Sequence, residues 1–375
     1  MTPSILDTRV ARRLSPWLTT MLLFGGGLDI VLALLVDWRR GDFHDFYIFY
    51  ESDVAALAGR ALYAGPNLNP PIFILLTSPL GWLPLRSAWL LWQLLSLLTF
   101  LWALRLAWLP TRHIPAAMVL VLVVVHASTP AQMMFGQVAW LLSLPLVLAW
   151  VAFRQQRWSA AGAWLGLVVA MKPFLLPLFV CGFLERSWRR VALVAAVTAV
   201  ALTLLPLPVF GPAALTAWWT AGQNAWHSTD QPTLASLTGT LYRHGWSAAA
   251  SVSAAALLWL PLLGWWHRLD VDRQWLAVLA AAILTSPLGW IHYAAWLLPL
   301  VVAAWRSLDS RWRFVALVAG SVPPVVVAAW PTLQLLYPAS LLALYIACWS
   351  AQTATESNCV AAGQLQPLRD HRERR

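Results

Sequence analysis

The chain has 375 residues, of which 60% are hydrophobic and 11% are charged, and its formal net charge is +10. A soluble globular domain carries about 25% charged residues, because it must cover its surface with them. This composition, together with a mean hydropathy of +0.66, excludes a soluble domain and predicts a polytopic membrane protein.

The first apolar run, residues 17–36, is long enough to cross a membrane, since a spanning helix needs about 20 apolar residues. It is too long for a cleaved signal peptide, so we predict a signal anchor that stays in the membrane. Further apolar runs follow at residues 87–108, 114–128, 135–153, 159–171, 174–184, 191–208, 248–266, 275–288, 291–305, 314–330 and 333–349. Together they predict about twelve crossings, several of them too short to span alone and therefore broken or re-entrant.

The basic residues predict the orientation of these crossings, because Lys and Arg are retained on the cytoplasmic side of short loops. With the N-terminus inside, most of the 25 basic residues fall on cytoplasmic segments, and both termini lie in the cytoplasm. The positive charge then reflects topology and contact with anionic lipids, so no nucleic-acid partner is expected. We predict one membrane domain over residues 1–350, with outer loops at 37–86 and 210–247, and a basic cytoplasmic tail at 351–375.

The first outer loop opens with the sequence GDFHDFYIFYESD, residues 41–53. At 100° per residue its aromatic side chains share one helical arc and its acidic side chains the next, which predicts an amphipathic helix lying in the membrane interface. Asp42 and Asp45, next to the end of the first span, are candidates for a functional role. Glu51 and Asp53 are interpreted as solvated, and His44 is predicted to point away from Asp42 and Asp45.

Five prolines between Pro66 and Pro84 punctuate the rest of this loop and exclude an uninterrupted helix. The segment is nevertheless apolar, which predicts a second short interfacial element. Backbone of this kind at membrane depth requires a protein cavity beside it. Such a cavity could hold a lipid-linked substrate.

Lys172, the only lysine of the chain, lies between two short apolar runs near the predicted outer face. A charge there must pair, bind a ligand such as a phosphate, or reach the interface by snorkelling, and the sequence leaves these alternatives open. Gln137 follows Gly136 at the outer end of another run. His292 and Tyr293 follow a proline-containing break, and for His292 a packing role remains the alternative to a functional one.

The second outer loop is polar enough to recognise a sugar, and within it we single out Gln231 and Arg243. An ordinary solvated loop remains the alternative. Cys181, Cys348 and Cys359 are odd in number and lack the spacing of metal ligands, so no disulfide framework and no metal site are predicted.

These segments together resemble glycosyltransferase family 87, a membrane-embedded family with the GT-C fold. The resemblance extends from residue 42 to about residue 300, and its motifs keep the family's order. They are DFHDFYIFYESDVAALAGRALY, NLNPPIFILLTSPLGWLP, FGQVAWLL, MKPFLLPL, DQPTLASLTG and SPLGWIHYAAWLLPL. The sequence departs from the family pattern at Asn69, at Ala139 and at Asp230 to Pro232, and these departures concern substrate recognition rather than the type of reaction.

The resemblance implies an all-α polytopic enzyme in a bacterial inner membrane, with its active site on the outer face. It implies transfer of a hexose, mannose in the family's mannosyltransferases, from a polyprenyl-phosphate sugar to a hydroxyl of a glycolipid or glycan, with inversion. By motif position Asp45 would be the general base, with Asp42 as the second candidate. Lys172, His292 and Arg243 would bind the donor phosphate, and Gln137, Gln231 and Tyr293 the substrates.

No cofactor is required by this scheme, and a metal is not expected, although Asp42 with Asp45 could hold one. The alternative functions are a transporter or flippase of lipid-linked sugars, which would show internal repeats and charges spread through the spans, and a non-catalytic scaffold. The clustering of polar residues at one face favours the transferase.

Overall fold

The computed structural model describes residues 16–41, 43–110, 114–223, 231 and 233–361, and within these ranges every regular element is a helix. The α-helices are α1 Pro16–Arg40, α2 His44–Leu57, α3 Pro71–Thr77, α4 Leu85–Trp108, α5 Ala116–Val125, α6 Ser128–Phe135, α7 Ala139–Arg154, α8 Trp158–Met171, α9 Arg186–Leu204, α10 Leu207–Phe210, α11 Pro212–Gln223, α12 Leu237–Arg243, α13 Ala248–Ala256, α14 Trp259–Trp265, α15 Val271–Thr285, α16 Leu297–Ala304, α17 Ser310–Gly320, α18 Pro324–Ala329 and α19 Leu336–Ala361. Among the described residues, 3₁₀ helices join them at Ser78–Trp82, Pro173–Phe183, Trp266–Arg268, Ile291–Trp296 and Pro331–Leu335. The prediction of an all-α protein is confirmed.

Several of these helices can cross a membrane by length and composition. They are Trp17–Arg40, Leu85–Trp108, Arg186–Phe210, Ala248–Arg268 and Thr332–Ser350, and α5 with α6 would make a sixth span bent by 57°. Shorter apolar helices lie at Pro71–Trp82, Ala139–Arg154, Trp158–Met171, Pro173–Phe183 and Ile291–Ala304. The chain is therefore a multi-pass membrane protein, as predicted, while the number of about twelve crossings and the orientation of the termini stay predictions.

Small residues allow several helices to pack closely, as is usual between spans. In α1 a Cβ added to Gly26 would lie 2.7 Å from Cγ1 of Val124 on α5. In α8 a Cβ added to Gly162 would lie 2.6 Å from Cβ of Val194, and one added to Gly166 would lie 2.6 Å from the Ala195 carbonyl oxygen. Close contact with α5 is thus present at Gly26 of α1, and α8 packs backbone to backbone on α9.

The predicted amphipathic helix after the first span is present as α2, but its aromatic face packs differently from our prediction. Phe43 and Phe46 are buried, with ring centroids 5.0 Å from Trp89 and 5.7 Å from Trp92 respectively. Of the predicted interfacial aromatics, Tyr47 is exposed. The prediction that the whole aromatic face lies in the membrane interface is therefore wrong. Phe43 and Phe46 instead pack against the aromatic side chains of α4.

Helix α19 continues to Ala361, beyond the end of the last predicted apolar run. The backbone therefore remains helical through the first part of the predicted tail. The remainder of that tail lies outside the described residues.

Candidate active site

Asp45 lies in the first turn of α2. The two residues before it, Phe43 and His44, both have φ of 44°, a left-handed conformation that bulky residues rarely adopt. Oδ2 of Asp45 accepts a hydrogen bond from Nε2 of Gln137. Burial raises the pKa of the Asp45 carboxyl, and the bond from Gln137 and the charges of Lys172 and His44 act in the opposite direction.

The turn that carries Gln137 is fixed by its neighbours. Gly136 has φ of 58°, and a Cβ there would lie 2.7 Å from Cβ of Phe46 on α2. The Gly136 carbonyl accepts a hydrogen bond from Nε1 of Trp92 at 2.7 Å, and the Gln137 carbonyl accepts one from Nε2 of Gln132. Only glycine meets both the backbone and the space requirement at this position, so the FGQ motif sets the side chain of Gln137 against Asp45.

Lys172 lies at the predicted junction, between α8 and the 3₁₀ helix that begins at Pro173. Its side chain is buried, Nζ donates a hydrogen bond to Oδ1 of Asn69 at 2.8 Å, and the ammonium lies 5.3 Å from the centroid of the Tyr293 ring. Snorkelling to the interface is therefore wrong as an account of Lys172. The ammonium instead lies inside the protein, near enough to Asp45 for the two charges to interact.

Asn69 and Asn67 are buried residues whose role the sequence analysis missed. Asn67 Oδ1 accepts hydrogen bonds from the backbone N–H of Asn69 at 2.9 Å and from its Nδ2 at 3.1 Å. The hydroxyl of Tyr63 donates to the Asn69 carbonyl at 2.8 Å. One sequence signal could have found them, because Asn67 and Asn69 are polar residues just before two prolines in an otherwise apolar segment.

His292 and Tyr293 belong to the 3₁₀ helix Ile291–Trp296 and are buried. Among the described residues neither ring nitrogen of His292 has a hydrogen-bond partner. The imidazole is surrounded by aromatic rings, with centroid distances of 4.3 Å to Tyr293, 5.7 Å to Trp290 and 6.4 Å to Phe135. A buried imidazole without a partner is costly, so packing alone does not account for His292, and a ligand atom would satisfy it.

A short pairing holds the break before His292 in place. The Ala235 N–H donates to the Gly289 carbonyl at 2.7 Å, and the Ile291 N–H donates to the Thr233 carbonyl at 2.8 Å. These bonds join the middle of the predicted second outer loop to the break. Two segments that are far apart in sequence are thereby fixed next to one another.

Arg243 and Gln231 also lie together, but in a more exposed position. Nη1 of Arg243 donates to the Gln231 carbonyl at 3.3 Å, and the Gln231 side chain is exposed. Gln231 is thus set apart by its exposure from the buried Lys172 and His292 and from the half-buried Asp45. Asp42 lies outside the described residues.

One expectation about the acidic residues, that Asp53 is solvated, is wrong. Asp53 is 1% exposed rather than solvated, and Oδ1 accepts a hydrogen bond from Oγ1 of Thr77 at 2.7 Å, whereas Glu51 is exposed as predicted. Burial raises the pKa of Asp53 to about 7, and the bond from Thr77 opposes the rise. His44 has a polar partner, since Nε2 lies 3.3 Å from Oδ1 of the buried Asp37, and its charge also acts on Asp45.

Within the described ranges no group of three or more His, Cys, Asp or Glu side chains has the arrangement of a metal site. Cys181 and Cys348 are buried free thiols. The described residues of the group offer acid–base chemistry and charge. The group combines one carboxylate, one ammonium, one unpaired imidazole and several amides at breaks between helices.

Comparison with known proteins places this arrangement in context. The sequence model of glycosyltransferase family 87 matches residues 67–292, a range that includes Asn69, Gln137, Lys172 and His292 and begins after Asp45. A polyprenol-phosphate-mannose-dependent alpha-(1-2)-phosphatidylinositol mannoside mannosyltransferase of Mycobacterium tuberculosis is 29% identical over 382 aligned residues, which cover 88% of this chain and 85% of the relative. No solved structure matches the chain.

Proposed function

We propose that this chain, which belongs to glycosyltransferase family 87, transfers mannose from a polyprenyl phosphate to a hydroxyl of a lipid-borne acceptor on the outer face of the cytoplasmic membrane. The observation that carries the proposal is that the half-buried Asp45 and the buried Lys172 lie near enough for their charges to interact. A base and a cation so placed fit the two needs of the reaction, which are removal of the acceptor proton and stabilisation of the leaving phosphate. The relative's donor and acceptor, as its name gives them, favour mannose and a phosphatidylinositol mannoside.

The proposed step is a single displacement at the anomeric carbon. The acceptor oxygen forms a bond to C1 of the sugar while the bond from C1 to the phosphate oxygen breaks, so the configuration at C1 inverts. The acceptor proton passes to Asp45, and the electron pair of the broken bond leaves with the polyprenyl phosphate. Within the described residues, Oδ2 of Asp45 bonds to Gln137 while Oδ1 accepts no hydrogen bond, which leaves Oδ1 to take the proton.

The leaving phosphate gains negative charge as the bond to C1 breaks, and buried positive charge stabilises it more strongly than an exposed cation would. Lys172 supplies that charge in our proposal. His292 supplies a hydrogen bond, because its ring nitrogens have no partner within the described part of the chain. Arg243 is the third proposed phosphate ligand, and its more exposed position suits a contact at the edge of the site.

The aromatic rings and amides suit the sugar and the acceptor. Tyr293 lies in tilted contact with Phe174, at a centroid distance of 4.9 Å, and with Trp296, at 5.0 Å. Aromatic rings of this kind can pack against the apolar face of a sugar. Gln137 offers an amide oxygen that is buried without a partner among the described residues, which suits a sugar hydroxyl. Gln231 is proposed on the acceptor side. We propose no metal or other cofactor for this reaction.

The test is incubation of the purified protein with a panel of polyprenyl-phosphate sugars and a lipid extract of the host, followed by mass spectrometry. A new glycolipid heavier by one hexose, formed with polyprenyl-phosphate mannose and not with the other donors, is the expected result. Nuclear magnetic resonance of product and donor then compares their anomeric configurations. Transfer with retained configuration would refute the single displacement, and transfer from a different donor alone would refute mannose.

A further inference from the structure

A chain of buried hydrogen bonds connects helix α2 with Lys172. Oγ of Ser52 donates to the Ile48 carbonyl at 3.2 Å, Nδ2 of Asn67 donates to Oγ of Ser52 at 2.9 Å, and Nδ2 of Asn69 donates to Oδ1 of Asn67 at 3.1 Å. Nζ of Lys172 completes the chain by donating to Oδ1 of Asn69 at 2.8 Å. We call Ser52, Asn67 and Asn69 the amide relay. It begins on the helix that carries Asp45 and ends at the ammonium.

The orientation of every group in the amide relay is determined by its neighbours. The single hydroxyl hydrogen of Ser52 points to a carbonyl, so its oxygen must accept from Asn67. The backbone N–H of Asn69, which cannot be reversed, also requires that Oδ1 of Asn67 face it at 2.9 Å. Nδ2 of Asn69 then faces Asn67, and Oδ1 is the atom left to face Lys172. An acceptor, rather than a donor, is therefore fixed next to the ammonium.

The backbone of the relay is also held. The hydroxyl of Tyr63 donates to the Asn69 carbonyl at 2.8 Å, and Nε1 of Trp218 donates to the Leu68 carbonyl at 3.1 Å. Pro70 follows Asn69 directly and restricts its backbone to extended conformations. The acceptor therefore sits on a rigid support rather than on a free loop.

The chemistry of this acceptor decides what it does to Lys172. A carboxylate would form an ion pair and neutralise much of the ammonium's charge, whereas an amide oxygen orients one N–H and leaves the charge in place. The other N–H groups of an ammonium remain available to a second ligand. In a site that must attract a phosphate, a neutral acceptor is the better partner.

We propose that Asn69, oriented by Asn67 and Ser52, is a positioning residue that holds the Lys172 ammonium toward the donor phosphate without neutralising it. This inference rests on the proposed function, in which Lys172 binds that phosphate. It deepens that function by tying donor recognition to the position where this sequence departs from the family pattern. The amide relay also connects Asn69, which binds Lys172, to α2, the helix that carries Asp45.

The first test compares steady-state kinetics of variants with polyprenyl-phosphate mannose as the varied substrate. Asn69→Ala should raise the donor KM about ten- to a hundredfold, the effect of losing a hydrogen bond to a charged group, with the acceptor KM unchanged. Asn69→Asp should raise it further, because the donor must then displace an ion pair. A donor KM that is unchanged in both variants, or lower in Asn69→Asp than in Asn69→Ala, would overturn the inference.

A milder variant guards against misfolding. Ser52→Ala removes the first link of the relay and should raise the donor KM a few fold. Ser143→Ala is the matched control, because buried Ser143 donates to the Ala139 carbonyl four residues earlier at 3.0 Å, as Ser52 does to Ile48. No asparagine of the described residues bonds to Ser143. Equal donor KM values for the two serine variants would contradict the relay.

A double-mutant cycle separates a failure of the relay from a failure of the proposed function. If Asn69 acts through Lys172, Asn69→Ala should have little further effect on the donor KM in a Lys172→Met background. If the two effects multiply, Asn69 acts independently and the inference is wrong, although Lys172 keeps its role. If Lys172→Met itself leaves donor KM and kcat unchanged in a folded protein, the proposed phosphate role of Lys172 fails, and the inference fails with it.

Discussion

Replacing Asp45 with asparagine tests the proposed base while changing little else in the site. The side chains are nearly equal in size, and an asparagine oxygen can still accept the hydrogen bond that Gln137 donates to Oδ2. The amide cannot take a proton from an acceptor hydroxyl. Loss of a general base lowers turnover by about 10²- to 10⁴-fold, which is about 3 to 5 kcal/mol of transition-state stabilisation.

The Asp45→Asn substitution should change kcat rather than the donor KM. Asp45 and Lys172 attract one another in the empty site, so removing the carboxylate leaves the ammonium freer to bind a donor phosphate. The kcat of the Asp45→Asn variant should therefore fall by the full factor while the donor KM stays level or decreases. A rise in donor KM with unchanged kcat would indicate that Asp45 binds substrate rather than acting as the base.

The assay measures transfer from polyprenyl-phosphate mannose to lipid acceptor by mass spectrometry, with size-exclusion chromatography and thermal midpoint as checks on folding. Glu51→Gln is the matched control, because Glu51 is an exposed carboxylate on the same helix, and it should keep normal turnover. Asp42→Asn is assayed in parallel. Turnover near the unmodified level in a folded Asp45→Asn protein would refute the reasoning, and a loss confined to Asp42→Asn would identify Asp42 as the base.

Three further predictions follow from individual contacts. Gln137→Leu removes the bond that lowers the pKa of Asp45, so the acid limb of the pH–rate profile should move to higher pH; an unmoved limb would contradict the assignment. Burial raises the pKa of Asp53 in the folded state from 3.8 to about 7, so the folded state holds the proton more tightly than the unfolded state. The free energy of unfolding should therefore fall, by at most roughly 4 kcal/mol, as the pH rises between these values. The Asp53→Asn variant should lose that dependence when thermal midpoints are measured across this range, and an unchanged slope would contradict it. Gly136→Ala should lower the thermal midpoint more than Gly59→Ala. Both glycines have positive φ, 58° and 64°, but only at Gly136 would the added Cβ meet a neighbour, at 2.7 Å. Equal shifts in the thermal midpoint would argue against the close approach of α2.

The parts of the site that sequence predicted are those with a local signal. A charged residue between two apolar runs, as at Lys172, is costly at membrane depth and therefore conspicuous. The 3.6-residue periodicity after the first span predicted α2, and the apolar run that follows Gly136 placed Gln137 at its outer end. In each case the physical reason lies within a few neighbouring residues, which a sequence shows directly.

The parts that sequence missed depend on contacts between distant segments. Asp53 has the same local pattern as Glu51, and only the packing of α2 on the segment around Thr77 makes one buried and the other exposed. The link between Asn69 and Lys172 joins residues 103 positions apart. Periodicity assigns a face to a side chain but not the partner that covers that face, so these contacts required the structure.

The charges of the site also explain why donor binding would favour the chemistry that follows it. In the empty site Lys172 lowers the pKa of Asp45 and so weakens it as a base. A donor phosphate bound to Lys172, as proposed, brings negative charge that offsets the ammonium, and the pKa of Asp45 then rises toward the value that burial alone would give. Asp45 is in this way a weak base before the donor arrives and a stronger one afterwards. The neutral Asn69 is what allows this, since a carboxylate in its place would already have paired with Lys172 in the empty site.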